Sequence, residues 1–304
     1  MKVKGKMTKI QWTTETWNYI AGCSEISPGC KNCYAKKLAQ SPRLARFPQY
    51  QAVKKWDGTV VMVSNKIEIP LMRKKPCTYF VNSMSDLFHE NMPEEWINLG
   101  FAIMAMCPQH TFQILTKRHE RMQEYLSQSK SFLTKKWYQT VYKYFGLQWQ
   151  LDDPEHNKIR KQVEQAFDGL EVPLPNVWCG VSVENQSRTD SISSLIDTNT
   201  ATRFISCEPL LEKIDITPHL GWINDKGRPF INWVIVGGES GSGSRPCKVE
   251  CIKDLVNQCQ QFEVPIFVKQ LGSNSDWKTK HPQGGNIDEF PEYLKIREFP
   301  SRLV

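Results

Sequence analysis

The chain of 304 residues reads as an α/β protein, a full or partial parallel (β/α) barrel with a helical insertion. Three observations predict this. Short, nearly continuous apolar runs alternate with segments of helical spacing, the pattern of parallel strands buried on both faces. Each run ends in polar or charged residues, and barrel enzymes build their sites from the C-terminal ends of strands. One stretch, residues 127–175, has no such run and interrupts the alternation.

In chain order, a strand-like entry (Trp17 to Ala21) leads into a loop rich in Gly, Pro and Cys, and a helix starts at Tyr34 and continues to Gln40. Residues 36–58 hold that helix and a connection with Pro42 and Pro48; 59–63 (TVVMV) is β-branched enough for a short strand. The better strand is 78–83 (TYFVNS), followed by a helix from Pro93, where Pro in the first turn and Glu94 and Glu95 near the positive helix end mark a start. Strands then recur at 110–117, 176–184, 203–209, 231–240 and 265–272, with helices from Arg118, from Thr189 to Asp197 and from Cys251 to Phe262. This divides the chain into an N-terminal part of the barrel (1–126), the insertion (127–175), a C-terminal part (176–272) and a loop-rich tail (273–304).

Composition narrows the class. Hydrophobic content of 40% is enough for a core, and no apolar run reaches the roughly 18–20 residues of a membrane helix. The basic opening MKVKGKMTK lacks the apolar stretch of a signal peptide, so a cytoplasmic protein without membrane contact is expected. Its ten cysteines are then mostly reduced, and Cys107, Cys179, Cys207 and Cys259, in apolar stretches, read as core residues. The net charge of +7 fits an anionic partner or a solvated surface. In the insertion, lysines interleave with Trp137, Tyr138, Tyr142, Tyr144 and Trp149; this suits single-stranded nucleic acid, or two amphipathic helices whose aromatics pack on the barrel, and the second is favoured.

Cys23, Cys30 and Cys33 fall in one loop, with six residues between the first pair and two between the second. Thiolates prefer soft metals. A structural zinc normally takes four protein ligands, and the next cysteine, Cys77, is more than forty residues on. A [4Fe–4S] cluster held by three thiolates keeps one iron open for an outside ligand.

The segment IQWTTETWNYIAGCSEISPGCKNCYA resembles a phage-associated family related to the radical S-adenosylmethionine (radical SAM) enzymes. Further blocks are similar to the same family: 79–90, 112–122, 177–185, 203–211, 233–241 and 266–272. The spacing departs from the commonest radical SAM pattern, which has three residues between the first two cysteines and an aromatic before the third; here Tyr34 follows the third.

The resemblance implies a barrel of the radical SAM type. It implies that Cys23, Cys30 and Cys33 ligate the cluster and that S-adenosylmethionine binds the open iron. A reductant would then drive formation of a 5′-deoxyadenosyl radical that abstracts hydrogen. Phage association implies a nucleobase, nucleotide or nucleic acid as substrate.

Tyr34, Ser83, Asp86, Ser182 and Glu184 are the contacts to S-adenosylmethionine that the resemblance implies, Ser83 and Asp86 by position toward its amino group and Ser182 and Glu184 toward its ribose. Lys117, Arg118, Glu208, Glu239, Lys269 and Gln270, at strand ends, are the candidates for substrate orientation and proton handling. For any one of them the alternative is a cap on the next helix. The glycines of Gly237-Gly238-Glu239 lack the spacing of a dinucleotide or P-loop motif. Two other functions fit the thiols: a zinc-bearing nucleic-acid-binding protein, and an iron–sulfur redox protein that does not use S-adenosylmethionine.

Overall fold

The structure, a computed structural model, describes residues 8, 10–149, 151, 153–223, 227 and 229–300. The basic opening segment, apart from Thr8, and the last four residues of the tail lie outside the described residues. The strands are β1 (Glu15–Trp17), β2 (Ile20–Ala21), β3 (Val61–Met62), β4 (Thr78–Val81), β5 (Thr111–Thr116), β6 (Val177–Ser182), β7 (Thr202–Cys207), β8 (Trp233–Gly237) and β9 (Ile266–Gln270). The first helices are α1 (Tyr34–Gln40), α2 (Pro42–Ala45), α3 (Pro48–Ala52), α4 (Ile69–Met72), α5 (Glu94–Ala105) and α6 (His119–Leu126). They are followed by α7 (Lys130–Tyr144), α8 (Pro154–Phe167), α9 (Asp190–Asp197), α10 (Thr217–Leu220) and α11 (Val249–Gln261).

Seven strands form one sheet in the order β1-β4-β5-β6-β7-β8-β9, with every neighbouring pair parallel. The sheet is curled, a partial barrel. Two of the expected strands differ. The entry expected over Trp17 to Ala21 is split, and only β1 joins the main sheet. The TVVMV strand exists as β3 but pairs antiparallel with β2, Ile20 opposite Met62, so it belongs to a small ladder beside the cysteine loop. The tail lines the outer strand: Val268 N donates to Ile296 O at 2.9 Å, and Arg297 donates to the carbonyls of Val268 and Lys269. That covers an edge that would otherwise present free backbone groups.

Side chains alternate across each strand, and the two faces build separate cores. One face, with Val81, Ile114, Val181, Ile205, Val236 and Val268, packs against the helices in the larger cluster. The other contributes Phe80, Phe204, Trp233, Ile235 and Phe267, gathered round Trp12, with no helix residue among them. This second cluster is the apolar floor inside the curl. Trp12 closes it from below, its ring 4.7 Å from Phe80 and 6.3 Å from Trp233.

The insertion is helical, as expected, and is anchored to the barrel. Trp137 of α7 is buried, stacks on Phe101 of α5 at 5.1 Å and donates from Nε1 to Tyr125 Oη at 2.8 Å. Tyr138 and Tyr142 stack on each other at 5.3 Å against the core. Of the five aromatics, only Trp149 is exposed. Among the described residues no helix is long and apolar enough to cross a membrane.

Candidate functional site at the mouth of the partial barrel

Above the apolar floor, the inward-facing positions turn polar toward the C-terminal strand ends. The same alternation that places Phe204 inside places Ser206 and Glu208 above it. On β5 and β9 it turns Lys117 and Lys269 inward, and on β6 it does so for Ser182 and Glu184. Two ion pairs result: Lys117 Nζ to Glu184 Oε2 at 2.9 Å, and Lys269 Nζ to Glu208 Oε1 at 2.8 Å. The second pair reaches across β8 at Gly237, where a Cβ would stand 3.0 Å from Glu208 Oε1. Both lysines keep part of their surface exposed to the mouth, while Glu184 is fully buried.

The cysteine loop lies against this rim. Gly22 opens it with φ +102°, where a Cβ would meet Thr59 O at 2.1 Å, so both conformation and space require glycine. Its amide donates to Met84 O at 3.1 Å, tying the loop to the segment after β4. Gly29 sits on the Glu184 carboxylate: its N–H donates to Oε1 at 3.1 Å, and a Cβ would stand 2.8 Å from that oxygen. Burial would raise the Glu184 carboxyl, but the Lys117 charge and hydrogen bonds from Ser27, Lys117 and Gly29 outweigh it and hold the group below its ordinary value. Asn32, between Cys30 and Cys33, donates to Glu239 Oε2 at 2.8 Å. Glu239 also takes Arg245 Nη2 at 2.6 Å; burial alone would raise its carboxyl, yet the Arg245 and Asn32 hydrogen bonds bring it down to about 2.

The three thiols all come from the loop between β2 and α1. Cys30 is buried and Cys23 and Cys33 are partly exposed. Each sulfur has a polar neighbour. Arg118 Nη1 donates to Cys23 Sγ at 3.4 Å, Ser27 Oγ is 3.6 Å from Cys30 Sγ, and the amides of Lys36 and Ala35 at the start of α1 favour the thiolate of Cys33. Burial, with the nearby Asp86 charge, pushes the Cys23 thiol up to about 12 against the pull of Arg118, and burial also raises Cys33. Both shifts favour the thiol over the thiolate, so a soft cation would bind in competition with protons. Among the described residues no group of three or more His, Cys, Asp or Glu is placed to hold a metal ion. A donor set of three soft sulfurs with N–H donors around them suits an iron–sulfur cluster, whose thiolates sit on different irons. Cys77, the distant zinc ligand considered above, lies just before β4, at the opposite end of the sheet from the loop. Its sulfur contacts Thr14 Oγ1 at 3.1 Å.

Not every expected site residue faces the mouth. Arg118 follows Lys117 and so turns to the other side. Its guanidinium is spent on Cys23 Sγ, Ser24 O and Oγ, Asp86 Oδ2 and Glu90 Oε2. Gln270 is kept on the inward side by a β-bulge, pairing with Gly237 and placing its Cγ 3.2 Å from where a Gly237 Cβ would stand, but it is buried and donates to Gly238 O at 2.7 Å. Asp86 accepts from Thr116 Oγ1 at 2.6 Å, Phe88 N at 3.0 Å and Lys117 N at 3.0 Å besides Arg118, which leaves it no open lone pair facing the mouth. Ser83 donates from Oγ to Asn18 Oδ1 and accepts from Tyr34 Oη through its carbonyl at 2.8 Å. Tyr34 thus clips α1 to the end of β4. Ser182 is buried on the inward face. Gly238 packs where a Cβ would meet Leu271 O at 2.2 Å, so that glycine serves strand packing.

Four residues not singled out from sequence complete the site: Asn32, His89, Glu90 and Arg245. Asn32 was visible between two of the cysteines. Buried His89 meets Ser24 Oγ at 2.8 Å, and only the folded chain brings its segment to the loop.

Fold and site together define an all-parallel partial barrel whose strand ends carry a charged mouth and a three-cysteine loop. The chain belongs to the family described as "Protein of unknown function (DUF5131)", which matches residues 7–292. No curated protein and no solved structure matches it.

Proposed function

We propose that this protein is a radical SAM-type enzyme, in which Cys23, Cys30 and Cys33 hold a [4Fe–4S] cluster and S-adenosylmethionine is its cosubstrate. The observation that carries the reading is the placing of three thiols from one loop at the C-terminal mouth of a parallel partial barrel, over inward-facing Lys–Glu pairs. When bound, the cluster supplies the electron that cleaves the sulfonium of S-adenosylmethionine, the reducing equivalent coming from an external reductant.

The chain's own residues have separable roles. Arg118 and Glu184 fix the two shoulders of the loop, one through Cys23 and Ser24, the other through Gly29. Asn32 and Arg245 lock its far end to Glu239. Lys117 and Lys269 are the groups placed to orient substrate or move a proton, each beside a carboxylate that takes up the charge. Ser182 remains the inward polar group nearest Glu184 in sequence, and Tyr34 and Ser83 the rim pair beside α1. Asp86 and Gln270 act as structural ties.

Anaerobic reconstitution with iron and sulfide tests this. Comparable amounts of bound iron and acid-labile sulfide, lost in Cys30→Ala, are expected. Tight zinc with no retained iron would replace the reading with the zinc-protein alternative.

A further inference from the structure

We infer that the helical segment after the cysteine loop is a binding surface for single-stranded nucleic acid, which presents a base to the mouth. Between residues 31 and 55 there are seven Lys and Arg and no Asp or Glu, while the other 279 residues hold 32 of each sign. The whole net charge of +7 is therefore the charge of this one segment. Its cations Lys31, Lys37, Arg43, Arg46, Lys54 and Lys55 are exposed, and none forms an ion pair among the described residues. Lys36 alone of the seven is paired, with Glu25 at 2.6 Å.

The insertion makes the contrast. It holds seven cations against six acids, and Lys136, Lys143 and Lys158 are paired with glutamates. In the mouth and around the cysteine loop, Lys117, Lys269, Arg118 and Arg245 are each matched to a carboxylate. Exposed cations without an ion pair occur elsewhere among the described residues, as at Lys74, Lys75, Lys130 and Lys135, but 31–55 gathers six of them in one acid-free stretch. That segment also adjoins the mouth: Tyr34 Oη reaches Ser83 O at 2.8 Å, and Lys37 Nζ donates to Ser242 O at 3.1 Å.

Chemistry favours nucleic acid over a lipid surface. The exposed large apolar groups here are the aromatics Tyr34 and Phe47, with Arg46 over the Phe47 ring at 5.0 Å. Rings and guanidinium planes stack on unpaired bases. An interfacial helix would instead show a broad aliphatic face, and here Ala35, Ala39 and Leu38 are packed into the cluster under the loop.

The inference supplies the substrate class for the proposed reaction and rests on that reading only for the chemistry; the binding itself needs no metal. Fluorescence anisotropy with a labelled dT20 oligonucleotide, on metal-free protein, tests it across a salt series. For the variant R43Q/R46Q/K54Q/K55Q, affinity at moderate salt is expected to fall about tenfold or more, with the salt slope shallower by roughly 0.7 per cation removed in contact. The pair K54Q/K55Q alone should give part of the same change, which separates lost charge from a folding defect. K135Q/K158Q/K161Q, in the insertion, should leave binding unchanged. Equal loss from both sets, no loss from either, or binding to phosphatidylserine vesicles with none to dT20 would overturn the inference. Failure of cluster assembly would not touch this result, so the two readings fail separately.

Discussion

Arg118 shows how much of this site depends on single side chains. Its buried guanidinium serves two carboxylates, a sulfur and the Ser24 backbone and hydroxyl, so removing it strands charge in a desolvated place. Arg118→Ala is expected to cost about 3 kcal/mol or more, as for breaking a buried pair by removing one partner. Urea unfolding of metal-free protein measures this, and a loss under about 1 kcal/mol would mean that the loop is held by other contacts. Glu239 gives a pH signature. Its folded carboxyl, at about 2, lies below the unfolded range, so its contribution to stability is complete above the unfolded pKa and is lost as pH falls toward 2. Thermal unfolding from pH 6 down to about 2.5 should lose stability less steeply in Glu239→Gln than in the native chain. Parallel curves would remove Glu239 from that account.

At the scale of elements, most strands were legible because parallel strands buried on both faces leave continuous apolar runs: β4, β5, β6, β8 and β9 lie inside the segments read from sequence, and β7 starts one residue before its segment. What the runs did not show was which side each terminal residue faces. Lys117 and Arg118 look equivalent as neighbours in sequence, but a period of two sends only Lys117 into the mouth, whereas a β-bulge pairs Gln270 with Gly237 and keeps it on the same face as Lys269. The β2–β3 ladder was missed because a two-residue strand carries too little pattern to reveal its partner. Packing predictions belong here too. Gly180 of β6 lies under the Phe204 ring, where a Cβ would stand 2.5 Å away, so Gly180→Val should destabilise by about 1–3 kcal/mol or more in thermal unfolding. Trp137→Ala should cost about 3–5 kcal/mol in the single unfolding transition of the whole chain, since α7 is part of the barrel core. A second, separate transition would show instead that the insertion folds by itself.

For the molecule as a whole, the cysteine loop and the α/β alternation carried the sequence reading, and the distribution of charge carried what it lacked. A net charge of +7 spread over 304 residues looks mild, whereas the same net charge confined to one exposed segment beside the mouth is the observation on which the proposed nucleic-acid surface rests. The insertion also interleaves basic and aromatic residues, yet Trp137 is core and three of the lysines there are paired.

The central claim is that three thiolates leave one iron open for S-adenosylmethionine. Electron paramagnetic resonance of the anaerobically reconstituted, reduced protein, recorded with and without S-adenosylmethionine, tests it most directly. The account predicts a cluster signal that changes on addition and is absent in Cys30→Ala. A reduced-cluster signal that ignores S-adenosylmethionine would contradict it and point to an iron–sulfur redox protein.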